Sequence, residues 1–384
     1  MADPTLVVVF LRGGADGLAL VSPTSDPDFI AARPEDLRVL RKGDGAGHVI
    51  RQQVADVDFR FHAAAAGLSE LYDAGDLSLI HAAGLTEATR SHFDAEARIE
   101  RAASAGDAGG WLGRWLKTIP AGGDLPALAV GTTLPGALDG HEAAVAEELG
   151  NLILAGGHWL APALRQRLAQ GFGAHVLGAD GPVDASMRQL LDLSQMISGR
   201  IWSDADGAAR PYAPDVAYPA DNPISAPLMT IAQTLKLGMG TRVATVDVPG
   251  WDTHVRQAGD FGNQVRWLSD GLMAFWRDLG PLQQDTSVVV MSEFGRRLRS
   301  NASGGTDHGR GNVMMALGPQ ARGGRMLGRW PGLSNDVLEE GADLAVTTDY
   351  RAVLAELMAG HMKAGDLSTV FPGFVAGTAL GLWG

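Results

Sequence analysis

The chain has 384 residues, of which 46% are hydrophobic and 20% charged, and its formal net charge is −13. This length and composition allow a large buried core, and we predict one domain over residues 1–384. The negative charge argues against nucleic acid as a partner, because no basic face is available to neutralise phosphates. The absence of cysteine excludes disulfides, thiolate nucleophiles and cysteine metal sites, so a metal would need Asp, Glu, His or hydroxyl ligands.

The N-terminal region lacks the features of an export signal. It has no basic segment followed by an apolar stretch, and its first apolar run is too short to span a bilayer. We therefore expect a cytoplasmic protein from the sequence as it stands, a periplasmic one if a leader precedes it, and no membrane partner. The sequence gives no indication of the oligomeric state.

Strand and helix patterns alternate at both ends of the chain. Apolar runs predict strands, and apolar residues at helical spacing predict helices. The predicted strands are 5–11, 77–82, 127–130, 241–248, 286–291 and 312–317. The predicted helices are 62–72, 95–103, 159–170, 185–202, 261–279 and 350–362. This alternation predicts an α/β fold with a mostly parallel sheet flanked by helices.

Residues from about 109 to 240 interrupt the alternation. Amphipathic helices dominate this stretch and few polar groups converge in it, so we interpret it as a helix-rich insertion or cap. Within it, residues 204–227 contain five prolines among polar residues and are predicted to form an extended surface loop.

Acidic and histidine side chains follow several of the predicted strands. Because the carboxyl ends of parallel strands meet at one edge of a sheet, we expect these side chains to converge on a shared site for a divalent metal. The candidate ligands are Asp16, Asp252, His254, Glu293, Asp307 and His308.

Each of these motifs alone also has a structural explanation. The glycines around Asp16 suit a simple turn or a phosphate-binding loop. Asp252 can cap the next helix, with His254 as an exposed loop residue, and Glu293 can pair with a neighbouring arginine. The stretch 304–311 can be a flexible loop. We prefer the metal site because it explains all four motifs at once.

A serine precedes the predicted helix 95–103. At a helix N-terminus, free N–H groups and the macrodipole stabilise an alkoxide or a bound anion. Ser91 is therefore the candidate nucleophile, Arg90 and His92 are candidate catalytic residues beside it, and Arg90 or Arg296 is a candidate anion clamp. One alternative is a capping box of Ser91 and Asp94. Another is a catalytic triad using His92, which is disfavoured because neighbouring helical side chains point to different faces.

Six other histidines have no carboxylate or histidine partner at a convincing spacing. We predict structural roles for all of them: His62, His81, His141, His158, His175 and His361.

Five motifs together resemble a large bacterial family catalogued as domain of unknown function 1501. They are LRGGADG (11–17), RSHFDA (90–95), GWDTH (250–254), SEFGR (292–296) and GTDHG (305–309), with TTDYR (347–351) near the end. This family looks related to the superfamily of alkaline phosphatases, sulfatases and cofactor-independent phosphoglycerate mutases. The resemblance implies an alkaline-phosphatase-like core that holds two metal ions at the carboxyl edge of its sheet and uses a serine or threonine nucleophile.

The same resemblance implies individual roles. Asp16 would be the first metal ligand, Ser91 the nucleophile, and His308 a late ligand. Asp252 and His254 would form a pair on one metal. Glu293 and Phe294 stand where related enzymes carry an Asp-His pair, so a phenylalanine occupies the place of an expected histidine ligand.

These observations predict a metal-dependent hydrolase of phosphate or sulfate esters that acts on a small anionic ester. Its cofactor would be one or two divalent ions, zinc or manganese, with magnesium and calcium as alternatives. Two other functions fit the same sequence. One is a non-catalytic metal-binding or scaffold protein of this fold, and the other is a phosphomutase-type phosphoryl transferase.

Overall fold

A computed structural model describes most of the chain, namely residues 3–51, 54–103, 109–120, 122–154, 163–164, 166–168, 182–203, 206–319 and 321–383. The predicted helix 159–170 lies largely outside the described residues. His158 and His175 lie outside them as well.

The strands are numbered in chain order. They are β1 Thr5–Leu11, β2 Val21–Pro23, β3 His48–Val49, β4 Phe59–Phe61, β5 Leu77–Gly84, β6 Ala127–Val130, β7 Ala144–Ala146, β8 Trp202–Ser203, β9 Ala208–Ala209, β10 Val243–Val248, β11 Thr286–Met291, β12 Arg296–Ser300, β13 Thr306–His308, β14 Asn312–Leu317, β15 Arg325–Leu327 and β16 Thr348–Asp349.

The α-helices follow the same rule. They are α1 Gly17–Leu20, α2 Pro27–Ala32, α3 Ala66–Ala74, α4 His92–Arg101, α5 Trp111–Leu116, α6 Pro182–Ile201, α7 Ser225–Lys236, α8 Gln257–Leu279, α9 Tyr350–Gly360 and α10 Leu367–Val370. Short 3₁₀ segments cover Glu35–Leu37, Gly136–Leu138, Leu149–Leu152 and Gly280–Asp285.

Strand β1 lies inside the main sheet because its sequence, TLVVVFL, is apolar on both faces and every residue is buried. It pairs in parallel with β10 on one side and β11 on the other. The order across the sheet is β15-β5-β14-β11-β1-β10-β6-β7, and β16 also pairs with β5. Of the described strands in this sheet, only β14 runs antiparallel to its neighbours. The predicted α/β fold with a mostly parallel sheet is confirmed.

Helices cover both faces of the sheet. Alternate β1 residues such as Val7 and Val9 face a core that also contains side chains of α3, α7 and α8. The intervening residues Leu6 and Val8 face a second core with side chains of α4, α5 and α9. The alternating direction of side chains along a strand produces this division.

The segment 109–240 contributes more to the sheet than the sequence pattern indicates. Its strands β6 and β7 extend the main sheet in parallel beyond β10. Helix α6 and helix α7 belong to the same segment, so it combines sheet edge and helices. None of the helices in the described ranges is long and apolar enough to cross a bilayer.

One edge of the sheet collects the residues of interest. The carboxyl ends of β1, β5, β10 and β11 lie there, and the antiparallel direction of β14 brings its amino end to the same edge. Between β11 and β14 the chain forms a hairpin of β12 and β13, in which Arg296 is opposite His308. Residues 306–308, which the flexible-loop alternative covers, are therefore a strand.

Candidate metal centre

Three histidines and one aspartate converge at this edge of the sheet. His92 is the first residue of α4, Asp252 and His254 lie in the loop after β10, and His308 ends β13. The Nε2 atom of His308 is 3.0 Å from Nε2 of His92, 2.8 Å from Nε2 of His254 and 3.1 Å from Oδ1 of Asp252. We call these four residues the histidine centre.

The other ring nitrogen of each histidine faces a hydrogen-bond acceptor. The three Nδ1 contacts are His92 to Glu293 Oε1 at 2.7 Å, His254 to Asp307 Oδ1 at 3.1 Å, and His308 to the carbonyl oxygen of Arg90 at 2.8 Å. Ionised carboxylates and backbone carbonyls accept but cannot donate, so each Nδ1 carries the ring proton. When uncharged, each ring therefore presents a lone pair at Nε2.

This arrangement leaves acceptors facing acceptors. The Nε2 atom of His308 has the Nε2 atoms of His92 and His254 and one oxygen of Asp252 within 3.1 Å, and the other Asp252 oxygen lies 3.6 Å from His92 Nε2. Uncharged rings in this arrangement repel each other, and a cation among them relieves the repulsion. Burial lowers the pKa of His308, which favours its neutral, metal-binding form. Imidazole nitrogen and carboxylate oxygen are ligands for zinc and other divalent ions, and ligand atoms of His92, Asp252 and His308 lie close enough together to hold one ion.

Glu293 contacts His92 at Nδ1, the ring nitrogen that faces away from the centre. It is fully buried and accepts hydrogen bonds from the Gly13 N–H at 2.8 Å and from the Ser292 hydroxyl at 2.9 Å, besides its contact with His92. A carboxylate on the far side of a ligating imidazole fixes the orientation of the ring. The structure thus places Glu293 as the partner of a ligand, where the sequence predicts a ligand.

Asp307 has the equivalent position behind His254. It also accepts a hydrogen bond from Asn301 Nδ2 at 3.0 Å. The hydrogen bonds from Asn301 and His254 lower the pKa of Asp307, so it stays ionised and keeps accepting from the imidazole. Asp307 therefore contacts His254 of the histidine centre from outside, as Glu293 contacts His92.

Asp252 is held by Arg296. Burial acts to raise the pKa of Asp252, but the hydrogen bond and positive charge of Arg296 act against it, and that pKa lies below its usual value. Arg296 donates to Asp252 Oδ1 at 2.6 Å, to the Gly14 carbonyl at 2.6 Å and to the Thr306 carbonyl at 2.8 Å. Its guanidinium is buried and fully engaged, so the structure does not support its predicted role as an anion clamp.

Asp16 differs most from the prediction. Its carboxylate is fully buried and lies against Arg33, with Oδ2 at 2.6 Å from Nη1 and Oδ1 at 3.1 Å from Nη2. Gln257 Nε2 donates to Oδ2 at 2.6 Å, and the Ala19 N–H donates to Oδ1 at 3.1 Å. Both oxygens are occupied by donors of the chain itself, so this placement does not support a metal-ligand role.

Arg90 and Ser91 border the centre through their backbone. The Arg90 guanidinium pairs with Glu340 at 2.8 Å and with the buried Asp343, so it is engaged away from a substrate anion. Ser91 is the exposed N-cap residue of α4, and its hydroxyl makes no capping hydrogen bond to that helix. Asp94 pairs instead with Arg98 at 2.9 Å, so the capping-box alternative is not formed.

Phe294 forms an apolar wall beside the centre. Its ring centroid is 4.9 Å from that of His92 and 4.9 Å from that of His308. Gly14, at φ +65°, makes room for this ring, because a Cβ there would lie 2.4 Å from it. Phe294 thus packs against two rings of the histidine centre and offers no ligand atom itself.

Glu96 offers one further carboxylate near His92. Ligand atoms of His92, Glu96 and Glu293 also lie close enough together to hold an ion. Burial raises the pKa of Glu96, and its carboxylate lies 3.6 Å from Arg12. This group shares His92 with the histidine centre, and its Glu293 already contacts the Nδ1 atom of His92.

Sequence reasoning missed part of this arrangement. His92 is predicted as a catalytic residue next to a nucleophile, yet its ring lies among the candidate ligands. Arg33 and Gln257 are not predicted at all. The available signal for His92 was its position at the start of a helix that follows a strand end, where side chains reach the sheet edge.

No curated protein matches the sequence. Among solved structures, the chain is similar to the C-terminal periplasmic domain of EcEptC from Escherichia coli in complex with zinc, at 9% identity and a TM-score of 0.38, covering 83% of this chain and 73% of that one. It is similar to the alkaline phosphatase of the Antarctic bacterium TAB5, at 12% identity and a TM-score of 0.37, covering 84% and 94%. A third is the PsFucS1 sulfatase from Pseudoalteromonas sp., at 12% identity and a TM-score of 0.34, covering 84% and 64%.

At these identities and TM-scores, the solved structures assign no activity to the chain. The family match is stronger. The model of the family described as "Protein of unknown function (DUF1501)" matches residues 83–368, which include the whole histidine centre and exclude the motif around Asp16. The chain belongs to this family.

Proposed function

We propose that the protein is a metal-dependent hydrolase of phosphate or sulfate esters with one divalent ion in the histidine centre. The observation that carries this proposal is that three Nε2 atoms meet beside Asp252, each on a ring whose Nδ1 already faces an acceptor. This set of donor atoms suits a cation. Support for ester hydrolysis comes from the resemblance of the motifs to a family that looks related to phosphatases and sulfatases.

The ion, when bound, would polarise the ester oxygen and stabilise the charge that develops on it. The chain's own residues divide the remaining work. His92, His254, His308 and Asp252 hold the ion. The carboxylates of Glu293 and Asp307 keep two of the rings oriented and keep their protons on Nδ1.

Ser91 is the proposed nucleophile. The residue before it holds His308 through its carbonyl, and the residue after it contributes its ring to the centre, so the Ser91 backbone is fixed on both sides. Its hydroxyl oxygen would bond to the phosphorus or sulfur atom while the ester oxygen leaves with the alcohol. Water would then cleave this intermediate, release the inorganic anion and restore the hydroxyl.

Neither of the two arginines predicted to bind the substrate anion is free to do so. Because Arg90 and Arg296 are both engaged with carboxylates, the free N–H groups at the start of α4 take over this role beside the ion. Such a site favours a small anion that fits between the helix start and the centre.

The first test measures the metal. Purified protein is stripped with a chelator and titrated with zinc and manganese, and the dissociation constant is obtained by chelator competition. His308→Ala removes the central imidazole and is expected to weaken metal binding by at least about 100-fold. Loss of a residue that only orients a ligand costs up to about this factor, and loss of a ligand itself should cost no less. The matched control His141→Ala removes a histidine outside the centre and should bind as wild type does. Equal binding by both variants would contradict the proposal.

The second test measures turnover by the metal-loaded protein on an aryl phosphate, a phosphodiester and an aryl sulfate. Ser91→Ala should lose at least about 1,000-fold in turnover with unchanged metal affinity. The exposed Ser186 on α6 gives the control Ser186→Ala, which should retain turnover. Bound metal without turnover on any ester would favour the non-catalytic binder. Isomerisation of a phosphorylated substrate without phosphate release would favour the phosphomutase alternative.

A further inference from the structure

The buried pair of Asp16 and Arg33 needs an explanation other than stability. Both side chains are fully buried, and moving two charges out of water costs about as much as their attraction returns. Such a pair can instead fix the position of neighbouring segments of the chain. The contacts of Arg33 and Gln257 show which segments are fixed here.

Arg33 connects Asp16 to strand β12. Its Nε donates to the carbonyl of Leu298 at 2.9 Å, and its Nη2 donates to the carbonyl of Arg297 at 3.0 Å. These carbonyls belong to the middle of β12. The guanidinium, held in place by the Asp16 carboxylate, therefore fixes the outer strand of the hairpin.

Gln257 connects Asp16 to strand β13. Its Nε2 donates to Asp16, and its Oε1 accepts from the Thr306 hydroxyl at 2.7 Å. Thr306 is fully buried and stands two residues before His308 on the same strand. The amide of Gln257 therefore fixes the strand that delivers the central imidazole.

The hairpin needs this external support. Its two strands pair at Arg296 with His308 and at Ser300 with Thr306, and the register shifts between these pairs. An irregular ladder with few pairs specifies its register weakly, and a one-residue slip would turn His308 to the opposite face.

We infer that Asp16, Arg33 and Gln257 are positioning residues that set the register of the β12–β13 hairpin and thereby place His308 in the histidine centre. None of the three touches the centre. The inference rests on the proposed function only in taking metal affinity as one readout of the position of His308.

The test uses Thr306, because substitutions at Asp16 or Arg33 would leave a buried charge. Thr306→Val removes the hydroxyl with little change in shape, and Thr306→Ser restores it. Thr306→Val should bind zinc about 10-fold to 100-fold more weakly than wild type, and Thr306→Ser should regain most of that affinity. The control is Thr5→Val, which removes a buried hydroxyl that donates to the Thr241 carbonyl at 2.7 Å at the start of β1. This variant should keep wild-type affinity.

A second readout does not need the metal. Amide hydrogen exchange of residues 306–309 in the metal-free protein should be faster in Thr306→Val than in wild type, Thr306→Ser or Thr5→Val. If the wild-type protein bound no metal, the proposed function would be wrong. The hydrogen-exchange rates of residues 306–309 would still test the positioning role. Equal exchange in Thr306→Val and Thr306→Ser would overturn it, as would an equal loss of affinity in Thr306→Val and Thr5→Val.

Discussion

Two polar clusters lie at the same edge of the sheet and satisfy their charges in different ways. Around Asp16, the chain supplies its own cation, and Arg33, Gln257 and a backbone N–H occupy both carboxylate oxygens. In the histidine centre, acceptors outnumber donors and three ring nitrogens face each other.

The difference shows that a carboxylate at a strand end does not by itself indicate a metal ligand. A carboxylate is available to a metal ion only if hydrogen-bond donors of the chain do not already occupy its oxygen atoms. A cluster whose donors and acceptors balance leaves no oxygen free for an ion, and a cluster with surplus acceptors can be completed by one.

The largest expected effect comes from Asp16→Asn, which would leave the Arg33 charge buried without its partner. We expect the free energy of unfolding to fall by about 3–5 kcal/mol, measured by urea denaturation of the metal-free protein. The double change Asp16→Leu with Arg33→Met removes both charges and should recover part of this loss. If Asp16→Asn kept full stability but lost metal binding, Asp16 would be a ligand and the comparison would be wrong.

A buried histidine outside the centre gives a pH-dependent test. His81 Nδ1 accepts from the Ala82 N–H at 2.9 Å, so its proton is on Nε2, which faces the Val21 carbonyl at 3.1 Å. Burial lowers the pKa of His81 from 6.5 to about 4. Between these values the unfolded chain binds a proton that the folded protein does not, so stability falls as the pH drops from 6.5 to 4, by about 3 kcal/mol in total.

The measurement is the free energy of unfolding at pH 7 and pH 4. His81→Gln cannot titrate, and its loss of stability over this interval should be smaller than that of wild type by about 3 kcal/mol. His141→Gln should show the wild-type dependence. An unchanged dependence in His81→Gln would mean that burial does not lower the pKa of this imidazole in the folded protein.

The smallest effect is expected for Glu293→Gln, which keeps the shape of the side chain and removes its charge. The Ser292 hydroxyl also lies 2.7 Å from the Leu11 carbonyl, so it can donate there and accept from the new amide. We expect metal affinity to fall by about 10-fold, because His92 loses a charged partner. Chelator competition measures it. Unchanged affinity would remove the orienting role, and complete loss would make Glu293 a direct ligand.

The sequence was informative where the pattern is local. The runs 5–11, 286–291 and 312–317 form strands with the predicted bounds. Asp252 and His308 lie 3.1 Å apart at the sheet edge, although an antiparallel hairpin and not a parallel strand end carries His308. The predicted helix 62–72 begins later, at Ala66, because the His62 ring accepts the Ala64 N–H at 3.1 Å and holds the chain in a turn.

The sequence was uninformative where long-range partners decide. Nothing in the motif around Asp16 indicates that Arg33, at a distance of 17 residues, folds back to pair with it. The orientation of His92 likewise depends on where α4 begins relative to β5. Pattern reasoning finds which side chains reach the sheet edge, and packing then decides which of them remain open to an ion.

The spacing of the ligands along the chain constrains the order of folding. His92 and His308 are 216 residues apart, and the loop that carries Asp252 follows a strand that pairs with β1. Closing loops of this length costs entropy before any contact compensates for it. An ion bound in the proposed centre would therefore meet a complete binding site only after the strands have assembled, so it would stabilise the folded protein without nucleating folding.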